Sequence, residues 1–276
     1  MANPSHYIPN PDNAHIDTRD FESEVCQLLA GVDSTGGVAQ YPCDRIHDLV
    51  VSKVSCAPNE PSDGQLICRY LSPIKFLWFV SQISAYFGAA SNFNDKSDSI
   101  IPTDYHNAVL GKLYRAQLDR SAWDRHIRDE RSRWLVSCWT KLDDYNDDNL
   151  LWHSYADGAL GVGVTVQYGV LRDYLRQAVT KEVGVTGFYC GEVAYQSPFR
   201  VAPFNKRNIF RNEKEVRFAT HSTSRTALSI DIADIKSELG LRLSAESPVV
   251  HRDAIEVIWR KFGGSDEIHV AGDEGP

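Results

Sequence analysis

Leu66-Ile67-Cys68-Arg69-Tyr70-Leu71, closed off by Gly64 before it and Pro73 behind it, is a compact apolar run with one arginine inside. Bounded by turn formers and too short for a helix of its own, it reads as a buried strand. The next segments show how such a strand is used. Ile74 to Gly88 is dense in aromatics and suits a buried helix leading into a strand, and Ser91-Asn-Phe-Asn-Asp95 reads as a turn. Tyr105 to Arg131 has helical spacing at Leu110, Tyr114, Leu118 and Ala122, as one long, partly broken helix. Trp134 to Thr140 reads as a second buried strand, left by the acidic run Asp143 to Asn149, and Leu150 to Ala156 as a short helix. Leu160-Gly-Val-Gly-Val-Thr-Val166 alternates small and β-branched residues, as a close-packed strand does, and Val170 to Val179 has a helical pattern. Strands at 187–195, 215–220, 228–232 and 267–270 and a helix at 252–261 complete the reading. Strands and helices mix irregularly rather than in βαβ units. The expected fold is therefore α+β: a single domain over residues 65–272, with a mixed, mainly antiparallel sheet flanked by helices.

Residues 1–64 read as a partly irregular N-terminal extension. The first 18 carry three prolines without apolar periodicity, and Phe21 to Ala30 forms a short helix with Asp20 as N-cap and Gly31 as stop. Ile46 to Val54 suits a strand or a short helix equally. No run approaches the roughly 18 apolar residues of a membrane span, and the N-terminus lacks a basic region followed by an apolar one, so a soluble cytoplasmic protein without membrane contact is expected. The six cysteines form no Cys-x-x-Cys pair and have no close His partner, which points to free thiols and no metal. A formal net charge of −8 repels phosphate at long range, so any contact with a polyanion must be local.

Five small motifs occur in a fixed order: Arg69-Tyr70, Phe93-Asn94-Asp95, Ser137-Cys138, Trp152-His-Ser-Tyr155-Ala156 with Gly161, and Glu213-Lys-Glu215-Val-Arg217. In this order they resemble the bacterial domain of unknown function 2971 family over a little over half the chain; Lys96 stands where that family usually has Pro. Arginine, serine and Glu-x-Glu, each on or beside a strand, also resemble the arrangement of ADP-ribosyltransferases. That second resemblance implies NAD as substrate, Arg69 on its phosphates, Ser137 as a brace, Glu215 as the catalytic carboxylate and Glu213 as an acceptor-orienting residue. The physical basis is glycosidic cleavage, in which a fixed carboxylate stabilises the positive charge that grows on the ribose as nicotinamide departs. Two departures stand out: Ser137-Cys-Trp-Thr140 replaces a Ser-Thr-Ser triplet, and Arg217 is placed to pair with Glu215 and quench it.

Each site residue also has a plainer reading. Arg69 in an apolar run needs a partner, either a ligand phosphate or an internal Asp or Glu. Glu213 and Glu215, at i and i+2, project to one side of a strand, or form a solvated edge paired with Lys214 or Arg217. Tyr70, Trp152 and Tyr155 serve as a cofactor platform or as core. Residues 199–217 interleave three Phe with six Lys or Arg, so Lys206 and Arg207 belong either to an anion pocket or to a surface loop. Asp144, Asn146 and Asp148 open like a calcium loop but lack its Gly and its closing Glu. The leading functional expectation is an NAD-dependent ADP-ribosyltransferase or NAD glycohydrolase, a toxin or phage-defence effector, with a protein or nucleic-acid acceptor left open. The alternatives are a metal-dependent nuclease or nucleic-acid-binding effector, to which Asp234-Ile-Lys236 could contribute, and a non-catalytic sensor or interaction module.

Overall fold

A computed structural model describes residues 18–30, 32, 42–54, 58–95, 103–142, 149–195, 202–266 and 268–271. The expected tail before residue 18, the Gly31 stop, Lys96, the acidic run with its calcium-like spacing, and Phe199 and Arg200 lie outside the described residues. The chain is α+β, as its sequence leads one to expect. In order it forms α1 (Arg19–Leu29), α2 (Cys43–Val54), β1 (Leu66–Leu71), α3 (Pro73–Gln82), β2 (Ser84–Ala89), α4 (Thr103–Arg115), α5 (Arg120–Arg133) and β3 (Trp134–Lys141). There follow α6 (Asn149–Tyr155), β4 (Val162–Gln167), α7 (Tyr168–Val179), β5 (Val185–Glu192), β6 (Ala194–Tyr195), β7 (Asn205–Lys206) and β8 (Glu215–Ser222). The last elements are β9 (Ala227–Asp231), β10 (Gly240–Leu243), α8 (Val249–Phe262) and β11 (Ile268–Val270). No helix among the described residues is long and apolar enough to cross a membrane. Cys26, Cys43, Cys68, Cys138 and Cys190 are free thiols.

The chain divides into two compact units. One comprises 1–58, 90–132 and 194–210, the other 59–89, 133–193 and 211–276. The first is built from α1, α2, α4 and α5. Its core repeats one helical spacing, i to i+4: Phe21 and Val25, Ile46 and Val50, Tyr105 with Val109 and Leu113, Trp123 and Ile127. Residues 46–54, left open between strand and helix by their sequence, are helical because Ile46 and Val50 complete this core. The single helix expected over 105–131 is two helices; the chain breaks between them with Gln117 at φ 54°.

The second unit holds a nine-stranded sheet that is antiparallel except for the parallel pair β10–β11. β3 is its axis. Along one edge it pairs with β8 over its length, from Trp134 opposite His221 to Thr140 opposite Glu215. Along the other edge it has two partners in series: β2 pairs with Leu135 and Val136, and β1 pairs with Thr140 and Lys141. The sheet therefore forks at Ser137–Trp139, with β1 and β2 diverging and α3 joining them. β1 continues outward through β4, β10 and β11, and β2 through β9.

Register decides which residues share a face, because side chains alternate along a strand. Cys68, Thr140 and Glu215 are cross-strand neighbours and project together, and Tyr70, Cys138 and Arg217 follow at i±2. Ile67, Arg69, Leu71, Ser137, Trp139, Val216 and Phe218 occupy the opposite face. That second face is the main core, closed by Phe76 and Phe79 of α3, Leu171 and Leu175 of α7, and Ile255 and Trp259 of α8. Each of these buried side chains contributes about 1.5–3 kcal/mol. On the first face Leu151 and Trp152 of α6 pack over Cys68 and Tyr70. Close approach here requires a glycine: a Cβ on Gly163 would stand 2.8 Å from Cys68 Sγ.

Candidate functional site

The fork places Arg69. Its side chain leaves β1 on the core face, and the guanidinium turns into the gap between the diverging strands. There Nη1 donates to Ser137 Oγ at 3.3 Å, and both Nη atoms donate to the Tyr86 carbonyl at 3.4 Å. Trp139 Nε1 donates to the same hydroxyl at 3.2 Å, and the guanidinium lies 5.9 Å from the Trp139 ring. All three partners are neutral. Among the described residues no carboxylate forms an ion pair with Arg69, so the internal Asp or Glu that its sequence context allows is not found there. Burial lowers the pKa of Arg69, as expected for a cation removed from water without a carboxylate to offset the loss.

The carboxylates occupy the other face. Glu213 ends the short 3-10 turn 208–213, and Lys214 follows in the left-handed region at φ 44°, where side chains are disfavoured. This kink carries the chain into β8. It is pinned by Lys141 N donating to Lys214 O at 2.9 Å. Tyr155 Oη, at the end of α6, donates to Glu213 Oε1 at 2.8 Å. Glu215 is held differently: Arg217 donates from Nε to Oε1 at 2.8 Å and from Nη2 to Oε2 at 2.9 Å. Both members are nearly sealed from solvent, Glu215 at 6% and Arg217 at 1% exposure. A bidentate pair at that depth is rigid, and removing either member takes from the other a buried, charge-assisted bond.

Next to the carboxylates, Trp152 is fully buried, its ring edge-on to Tyr70 with centroids 4.8 Å apart. Arg242 Nη1 donates to Tyr70 Oη at 2.7 Å, and its guanidinium lies 5.9 Å from the Trp152 ring. Trp152 Nε1 is a buried donor with no hydrogen-bond partner. Such an atom is uncommon and marks a place where polar character exceeds what the fold alone requires. Sequence reasoning missed Arg242, since Gly240-Leu-Arg-Leu243 is only four residues long; its signal was an arginine flanked by leucines, the same pattern that singled out Arg69.

Glu213, Glu215, Tyr70, Trp152 and Tyr155 thus come together. The expected joint constellation of Arg69, Ser137 and Glu215 does not form as one contact set. Arg69 bonds Ser137 at the fork, while the register sends Glu215 to the opposite face, where it bonds Arg217. The physical reason is parity: Arg69 and Ser137 share the alternation of Trp139, and Glu215 shares that of Thr140. Lys206 and Arg207 belong to the other unit. There both stack on Phe210, at 4.8 and 5.4 Å, and Arg207 Nε bonds Asp95 Oδ2 at 2.9 Å. Among the described residues no three of His, Cys, Asp or Glu are grouped to hold a metal ion.

Comparison of the chain with protein-family models, with curated proteins and with solved structures gives no match. The functional reading therefore rests on the residues themselves.

Proposed function

We propose that the chain binds NAD and breaks its nicotinamide–ribose bond, passing the ADP-ribosyl group to water or to an acceptor. The observation that carries this reading is the turn at Glu213–Lys214–Glu215, which sets two carboxylates with different partners on one face beside aromatic rings. Departure of neutral nicotinamide with its bonding electrons leaves positive charge on the ribose, and a fixed carboxylate against a ribose hydroxyl lowers the energy of that state. Glu213 suits this role because the phenol of half-exposed Tyr155 bonds its carboxylate. Glu215, locked to Arg217, serves as the rigid base of the turn. Arg69 leaves β1 on the face opposite Glu215; with neutral partners only, its guanidinium at the gap between β1 and β2 is the candidate for a phosphate, separate from the carboxylates.

The test pairs chemistry with stability. With labelled NAD the protein should release nicotinamide. Glu213→Gln should lower turnover at least about 10²-fold at unchanged melting temperature, the loss typical of removing one electrostatic stabiliser. Glu215→Gln should instead lower the melting temperature, because buried Arg217 loses a bidentate, charged partner. A stable Glu213→Gln protein with full activity, or a wild-type protein that releases no nicotinamide, ends this reading.

A further inference from the structure

We infer that Tyr155 is a positioning residue, whose phenol aims the Glu213 carboxylate and so governs turnover through Glu213 rather than by binding NAD. This inference rests on the reading of Glu213 as the carboxylate that contacts ribose. It begins with how α6 is held. Leu151 and Trp152 bury one side of this short helix against Cys68 and Tyr70, which fixes its last turn. Tyr155, one turn beyond Trp152, is 45% exposed, yet its hydroxyl is 2.8 Å from Glu213 Oε1.

The bond between the half-exposed Tyr155 and the buried Glu213 is part-buried, and a single bond of this kind is a small part of the stability of the unit. What the contact changes is freedom. A glutamate has three side-chain torsions and loses conformational entropy when they are fixed. Here the main chain is fixed by the Lys141–Lys214 hydrogen bond and the carboxylate by Tyr155. Glu213 is thus restrained at both ends before any ligand arrives, which is what a group stabilising transient charge requires. A ring serving as a nicotinamide platform acts on NAD affinity, and a structural peg acts on melting temperature; a positioning phenol acts on neither.

Tyr155→Phe removes one oxygen and nothing else. Turnover should fall about tenfold, as for one hydrogen bond of ordinary strength, with KM for NAD within about twofold and melting temperature unchanged. In the Glu213→Gln background the same substitution should bring no further fall, because the two act as one unit. In the resting protein with carboxyl-labelled glutamate, the Glu213 carbon resonance, assigned with Glu213→Gln, should move on Tyr155→Phe while that of Glu215 stays. A rise in KM at constant turnover, additive losses in the double variant, or an unmoved Glu213 resonance overturns the inference. Absence of nicotinamide release from every protein overturns the functional reading instead, and the resonance then still decides whether Tyr155 fixes Glu213.

Discussion

At the scale of single residues the two arginines of β1 and β8 make opposite statements about burial. Arg217 brings a counter-ion two residues away and bonds it with two donors. Arg69 brings none and is held by a serine hydroxyl and a main-chain carbonyl at 3.3–3.4 Å, distances at which a hydrogen bond is weak. Replacing a half-buried cation that lacks a carboxylate partner by an apolar side chain of similar length relieves the part of its desolvation that the fold imposes, without stranding a charge. Arg69→Met should therefore leave the melting temperature unchanged or raise it, while weakening NAD binding at least tenfold, about 1.4 kcal/mol. A calorimetric melt beside a titration with NAD separates the two effects. A large loss of stability would make Arg69 a structural peg of the fork, and unchanged affinity would remove it from the site. The oddity of Arg69 was visible in Leu66–Leu71 as a charge among apolar residues. The identity of its partners was not, since Tyr86 and Ser137 lie on other strands.

Elements show the same division between what periodicity reveals and what pairing decides. β1, β3, β4 and β8 were legible as apolar or alternating runs, and each lies where its run predicts. Hidden from the sequence was the pairing of β3 with three strands, and with it the parity that parts Arg69 from Glu215; register is a long-range property and no single run encodes it. α3 is a second case. Pro73-Ile-Lys-Phe-Leu-Trp-Phe-Val is apolar on every side, so composition does not say which face turns inward. In the structure Phe76 is fully buried while Leu77 is 49% exposed. Phe76→Ala should cost about 3–5 kcal/mol, against a change within about 0.5 kcal/mol for Leu77→Gln. Equal losses from the two, read by chemical denaturation, would mean that α3 is turned the other way.

At the scale of the whole molecule the described residues form one helical core and a core on each face of the sheet, and acidity should act on the two units unequally. In the helical unit, removal from water lowers the pKa of His47 on α2, with His126 adding to the effect and Glu130 opposing it. Removal from water likewise lowers that of His106 on α4, opposed by Asp124. Trp123, itself fully buried, also donates from Nε1 to His106 Nδ1 at 3.2 Å, and the His126 ring stacks on it with centroids 5.7 Å apart. A base whose folded pKa lies below its unfolded value of 6.5 favours folding in its neutral form. Its full contribution is present above pH 6.5, the ordinary histidine value, and declines as the pH falls from there through the folded pKa, because only the unfolded chain gains the proton. Hydrogen exchange measured at about pH 7.5 and again at about pH 5.5, corrected for intrinsic rates, should show protection falling in α2, α4 and α5 more than in β1, β3 and β8. A carboxylate at its ordinary value, about 4, changes its charge little over that range. Replacing His47 and His106 together by Gln should shrink the contrast between the units. If the strands lose protection as fast as the helices, or the double variant keeps the full contrast, the acid sensitivity does not originate in these rings.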